Sequence, residues 1–158
     1  KFLALSEFQN AKTIGFFASE PFEIATDFLI EKSLQLGKKV ALPRVESPPA
    51  PLVRGEQRNL TFHEIKNLAE CAPGCFGINC PAKSSPKIPL AKIDLLVVPA
   101  LAFDRDGNRL GRGGGFFDRI LEKFSGNSVG LAFDFQILEK IPTEKFDRKI
   151  GKVLIATE

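Results

Sequence analysis

The chain of 158 residues has no tryptophan, no tyrosine and no methionine, and its one histidine is His63. Without Met the first residue is not an initiator, so the natural N-terminus is expected upstream. Without Trp or Tyr all aromatic packing falls to 15 phenylalanines, whose rings stack but carry no hydrogen-bonding group. The cysteines Cys71, Cys75 and Cys80 are spaced poorly for zinc and lie downstream of the lone histidine, so free thiols are expected. An odd cysteine count without a secretory signal favours a reducing compartment, and a cytoplasmic location is expected. No apolar run approaches membrane-spanning length, which argues against a membrane partner. A net charge of +3 is too mild to argue for nucleic acid, and no lysine stripe or aromatic RNA platform is present. Neither a Walker A loop nor a dinucleotide fingerprint occurs.

What remains is an ordinary globular composition, 44% hydrophobic and 26% charged, in one domain spanning residues 1–158. Lys1–Gln9 reads as the tail of a helix. Lys12–Ala18 reads as a buried strand, Glu23–Leu36 as an amphipathic helix with Ile24, Phe28, Leu29 and Leu36 on its apolar face, and Lys39–Leu42 as a strand ended by Pro43. This β-α-β order predicts parallel pairing. The Pro-rich stretch from Glu46 to Asn59 predicts a loop, Asn59–Glu64 a short strand, Ile65–Ala69 a helical turn, and Cys71–Pro89 an irregular segment. Ile93–Leu101 is apolar almost throughout, as a strand covered on both faces should be. Phe116–Phe124 then reads as a helix, Ser128–Phe133 as a strand, Phe135–Lys140 as a short helix and Lys152–Thr157 as the last strand. The expected fold class is α/β: a three-layer, Rossmann-like domain with a mostly parallel or mixed central sheet and helices on both faces.

The chemistry concentrates between the central strand and the helix at Phe116. Gly107, Gly111, Gly113, Gly114 and Gly115 alternate there with Arg105, Arg109 and Arg112. Glycine lets backbone amides approach a ligand, a helix start adds its free N–H groups and positive dipole end, and guanidinium forks suit phosphate. The bland reading is a flexible surface loop. Against it stand the adjoining strand, the arginines and Asp118. That aspartate is either a favourable charge in a first helical turn or a Mg²⁺ ligand beside a phosphate site.

The run from Pro99 to Asp104, continued by Gly107-Asn108-Arg109-Leu110-Gly111-Arg112-Gly113-Gly114-Gly115-Phe116-Phe117-Asp118-Arg119, resembles the signature of the 5-formyltetrahydrofolate cyclo-ligase (methenyltetrahydrofolate synthetase) family. Glu23-Ile24-Ala25-Thr26, Ala41-Leu42-Pro43-Arg44 and Gly130-Leu131-Ala132-Phe133 with Gln136 agree in order, so the likeness covers about Phe8 to Glu158. It implies conversion of 5-formyltetrahydrofolate to 5,10-methenyltetrahydrofolate with ATP and Mg²⁺, by a monomer. Under it Arg109, Leu110, Gly111, Arg112, Gly113, Gly114, Gly115, Phe116 and Phe117 cradle ATP, with Arg112 as the catalytic residue. Ala18 and Glu23, together with Arg112 to Phe116, contact the folate. Asp118 and Asp147 hold the metal. Apart from the resemblance, Glu23 reads equally as a helix-start charge, Asp147 as half of a surface Asp–Arg pair, and Phe16, Phe17 and Phe76 as core. The family usually has tyrosines where Phe116 and Phe117 stand, a glutamate at Cys80 and a histidine at Phe146. These differences motivate the alternative reading, a non-catalytic nucleotide- or folate-binding module of the same fold.

Overall fold

The computed structural model describes residues 1–46 and 59–156, so the predicted loop between Glu46 and Asn59 lies almost wholly outside the described residues, as does Thr157. In chain order the elements are α1 (Ser6–Asn10), β1 (Thr13–Gly15), α2 (Asp27–Gln35), β2 (Lys39–Val45), β3 (Leu60–Ile65), β4 (Cys71–Pro73), β5 (Asn79–Pro81), β6 (Lys87–Ile88), β7 (Leu95–Val98), β8 (Ala102–Asp104), β9 (Arg109–Leu110), α3 (Phe116–Lys123), β10 (Asn127–Phe133), β11 (Ile137–Leu138) and β12 (Lys152–Ala156). Seven strands form one sheet in the order β12-β10-β7-β1-β2-β3-β6. The first five of these are mutually parallel, while β3 and β6 pair antiparallel at one side. The result is a large, mostly parallel sheet with few helices.

Alternation along the strands explains the two cores. On β2 and β7, Val40, Leu42, Leu95 and Val97 join one cluster with Phe8 of α1 and Ile30 of α2. Their neighbours Ala41, Leu96 and Val98 join the other with Phe62, Phe103 and Ile120 of α3. Phe16 and Phe17 are buried in the first cluster as core, whereas Phe76 is 71% exposed.

Several elements depart from the sequence reading. The helix predicted from Glu23 begins only at Asp27, because Thr26 turns inward: its hydroxyl donates to the Phe17 carbonyl at 2.7 Å and its amide to Ser19 Oγ at 3.2 Å. Phe28 and Leu36, predicted on the apolar face, are 64% and 54% exposed, and Ile30 is the residue that buries. Strand β2 passes through Pro43 because β1 stops pairing at Ala41, so Pro43 has one strand neighbour, Phe62 of β3. The predicted irregular segment after Cys71 contains the antiparallel β4–β5 pair. The predicted helix at Phe135 is a 3-10 turn, Asp134–Gln136, leading into β11. The central strand is shorter than expected, because Pro99 has no amide to continue it.

Beyond Pro99 the chain does not run directly into a glycine loop. It first folds β8 against β9, with β11 parallel to β8. Asp104 pins the connecting turn. Its buried carboxylate accepts the amides of Asp106 at 3.0 Å, Asn108 at 2.9 Å and Ile141 at 3.1 Å, and the Asn108 side-chain amide at 2.8 Å. Burial alone would raise its pKa, but these hydrogen bonds outweigh burial and hold the carboxyl below its ordinary value. Gly107 closes the turn at φ +83°, where a Cβ would stand 2.5 Å from the Ile150 carbonyl oxygen. Gly107→Ala is therefore expected to lower stability by about 2–3 kcal/mol in urea titrations. Because the Asp104 pKa is depressed on folding, its contribution is present above the ordinary aspartate pKa and disappears as pH falls toward the folded value. Asp104→Asn should lower the Tm at pH 7 and flatten the loss of stability below about pH 4.

Candidate active site

After β9 the segment Gly111–Gly115 leads into α3. Gly113 and Gly115 take φ +82° and +60°, and Gly115 is the N-cap with no side-chain capping bond. A first helical turn without a cap leaves its amides open to an anion. The amides of Gly113, Gly114 and Gly115 also donate no hydrogen bond among the described residues. Phe116 opens the helix beneath the Arg119 guanidinium, 5.1 Å from the ring centre, and Phe117 packs onto the second core cluster. Leu110 is 46% exposed at the end of β9.

Arg109 stands on β9 beside this turn. Its side chain is only 5% exposed, and Nη2 lies 2.6 Å from Asp118 Oδ1. The ion pair is not aligned as a hydrogen bond, and Nε and Nη2 have no hydrogen-bond partner among the described residues. Buried donors left open are costly, and a phosphate oxygen would satisfy them. Asp118 also accepts the Arg148 amide at 3.3 Å. It is thus the junction of α3, β9 and the segment before β12, beyond its role as a first-turn charge. Asp147 is exposed, and its Oδ2 accepts the Glu144 amide at 2.6 Å. The surface Asp–Arg pair considered for it does not form, since Arg148 Nη2 bonds Glu122 at 2.9 Å instead. Among the described residues no three His, Cys, Asp or Glu side chains converge as a metal cluster.

Arg112 joins the glycine segment to the segment between β1 and α2. Its guanidinium pairs closely with Glu20, lies 3.7 Å from Glu23 Oε1 and sits over the Phe22 ring, 4.7 Å from the centre. Glu23 lies four residues ahead of α2, so the dipole reading for it falls. Its side chain is 8% exposed, and Oε2 accepts the Glu20 amide at 2.9 Å. Burial raises its pKa, against the opposing pull of the Glu20 amide and Arg112.

The same segment lines a cleft of about 270 Å³. Its walls include Ala18, Glu20, Asp27, Cys71, Ile78 and Asn79. Ala18 lines this cleft, whereas Glu23 is not among its lining residues. Glu20 belongs both to the cleft and to the Arg112 pair. Sequence reasoning did not single out Glu20. The recoverable signal was the pair Glu20 and Glu23 around Pro21, two carboxylates in a segment too constrained to be a helix. Cys71 and Cys80 carry free thiols. Buried Cys80 contacts Arg44 Nη1 at 3.2 Å, and burial pushes the Cys71 thiol up.

The family model for the 5-formyltetrahydrofolate cyclo-ligase family matches residues 1–156. The chain is 35% identical over 148 residues to the 5-formyltetrahydrofolate cyclo-ligase of Escherichia coli K12, covering 91% of this chain and 78% of that protein. It is 32% identical over 165 residues to the protein of that name from Mus musculus, covering 98% of this chain and 78% of that one. The NMR structure of Aquifex aeolicus 5,10-methenyltetrahydrofolate synthetase superposes with a TM-score of 0.81 at 27% identity, over 98% of this chain and 73% of that one.

The geometry makes Glu23 a group held at a cost. Because its carboxyl is raised on folding, the charged form destabilises the fold above that raised pKa, and the cost vanishes below the ordinary glutamate value. Glu23→Gln should raise the Tm at pH 7, with the gain shrinking to nothing at acid pH in thermal melts.

Proposed function

The chain belongs to the 5-formyltetrahydrofolate cyclo-ligase family, and from that premise we propose that it converts 5-formyltetrahydrofolate to 5,10-methenyltetrahydrofolate. ATP and Mg²⁺ are consumed and required respectively, and ADP and phosphate are released. The observation that carries this reading is the position of Arg112, on the glycine segment yet against Glu20 and Glu23 beside the cleft. A phosphate cradle and a pocket for a flat, hydrogen-bonding ring system then share one boundary, as a reaction between the two substrates requires.

The chemistry asks for little covalent participation by the protein. A formamide oxygen is a poor leaving group. Transfer of the γ-phosphoryl group to that oxygen activates the formyl carbon, N10 attacks it, and the C–O bond breaks to release phosphate as the ring closes. Positioning and charge neutralisation carry such a transfer. The amides of Gly113 to Gly115 and the open donors of Arg109 bind phosphate oxygens, and Arg112 neutralises charge at the γ-phosphorus. Leu110, Gly111, Phe116 and Phe117 shape the nucleotide side. Ala18 borders the pterin, and Glu23 accepts its N–H groups in paired hydrogen bonds.

The residues fit a magnesium ion held mainly by phosphates. Mg²⁺ keeps several waters and needs only one or two carboxylates, here Asp118 and Asp147, so a dense protein cluster is not required. When bound, it would neutralise phosphate charge. In this reading the enzyme is a cytoplasmic monomer acting on small molecules, without nucleic-acid or membrane partners. The same reading takes the fold as a three-layer, Rossmann-like arrangement, in which ligands sit beyond the carboxyl ends of the strands.

Purified protein should therefore generate the absorbance of methenyltetrahydrofolate from 5-formyltetrahydrofolate, ATP and Mg²⁺; a folded full-length protein giving no product refutes the proposal. Arg112→Ala should cut kcat/KM by about a hundredfold while the Tm moves little. Asp118→Ala should raise the Mg²⁺ concentration needed for half-maximal rate.

A further inference from the structure

Arg112 is the residue with the most to do in the proposed reaction, and it is already engaged. Two carboxylates and an aromatic ring hold it: Glu20 in close contact, Glu23 at 3.7 Å, and Phe22 at 4.7 Å. Its side chain is 44% exposed, so the pair is not sealed into the core. A partly exposed ion pair is weak and exchanges readily for a better anion. Glu20 and Glu23 are also tied to each other by their backbones, with the Glu20 amide on Glu23 Oε2 and the Glu23 amide on the Glu20 carbonyl, both at 2.9 Å. They form one hydrogen-bonded unit. That unit faces two ways, because Glu20 lines the cleft while it grips the arginine of the glycine segment.

We infer that Glu20 is a positioning residue that couples the two binding sites. With the cleft empty, it stores Arg112 away from phosphate. When the folate ring system fills the cleft, its N–H groups take up the carboxylates, and Arg112 is released toward the nucleotide. The inference rests on the proposed function, since it assigns one substrate to each side of Glu20. A ligand shifts such an equilibrium only by preferring one state. Folate prefers the state with free carboxylates, and nucleotide prefers the state with a free guanidinium. These are the same state, so each substrate tightens the other, by the same factor. The second strand of the argument is local. Among the described residues the Glu20 carboxylate has Arg112 as its one ion-pair partner, while its amide and carbonyl make the turn.

The test is isothermal calorimetry of a non-hydrolysable ATP analogue with Mg²⁺, with and without saturating 5-formyltetrahydrofolate. The natural protein should bind the analogue roughly five- to tenfold more tightly when folate is present. Glu20→Gln should bind it more tightly than the natural protein when folate is absent, and its remaining coupling should fall to about twofold, because the longer contact to Glu23 persists. Glu31→Gln removes an exposed carboxylate of α2 that neither lines the cleft nor pairs with Arg112, so it controls for a general loss of negative charge. It should leave the coupling as it was. A thermal melt of Glu20→Gln checks folding, and Glu20→Ala repeats the measurement with a second side chain. Independent binding of the two ligands overturns the inference while leaving the proposed function standing. So does undiminished coupling in both Glu20 variants, or an equal gain in Glu31→Gln. Failure of both ligands to bind at all overturns the functional reading and the coupling with it.

Discussion

Four consecutive side chains without exposed surface, Leu95 to Val98, set the terms for the rest of the molecule. A strand apolar on both faces must be covered on both, and it must have hydrogen-bonding neighbours at both edges. β1 and β10 supply the edges, and the two clusters supply the cover. Asp94, just ahead of the strand, fixes its alignment: its carboxylate accepts the amides of both Lys12 and Thr13 at 2.8 Å, and its carbonyl accepts the Asn127 amide at 3.0 Å. The loop after β1 follows a strand held by this alignment, and the glycine segment follows the β8–β9 pair built just beyond β7.

The parts of the fold that were legible in the sequence are those where one physical demand dominates. The central strand was visible because burial on both faces leaves a run of Leu and Val. Helix α3 was visible because glycines precede it and its apolar residues recur at helical spacing. The segment around Glu23 was misread because the apolar spacing continues through residues whose side chains bond the backbone, and Thr26 diverts the chain to do so. Pro43 misled in a similar way. A proline ends a strand only when the edge its nitrogen faces must be paired, and which edges are occupied is a property of the sheet. The short pairs β4–β5 and β8–β9 gave no signal at all, since two or three residues are too few to show alternation.

The candidate site follows the same pattern. The glycine-rich makeup of Gly111–Gly115 is written in residue types, and so is the presence of arginines. What those arginines touch is not. Arg109 is buried against Asp118 with donors left open, and Arg112 reaches across to a different segment of chain. Neither fact has a local signature, because each partner is set by tertiary packing. A buried guanidinium with unsatisfied N–H groups is a destabilising feature by itself. Together with a desolvated Glu23, it marks a region where the fold gives up stability to keep polar groups poised.

The alignment made by Asp94 has a consequence in time. β1 must wait for a strand some 80 positions later before its second edge is paired. During synthesis, β1, α2 and β2 can assemble first, but they do so with an open, apolar strand edge that persists until the middle of the chain has left the ribosome. The growing polypeptide is thus most vulnerable to misassociation in that interval, and rapid emergence of the stretch around Leu95 is what ends it.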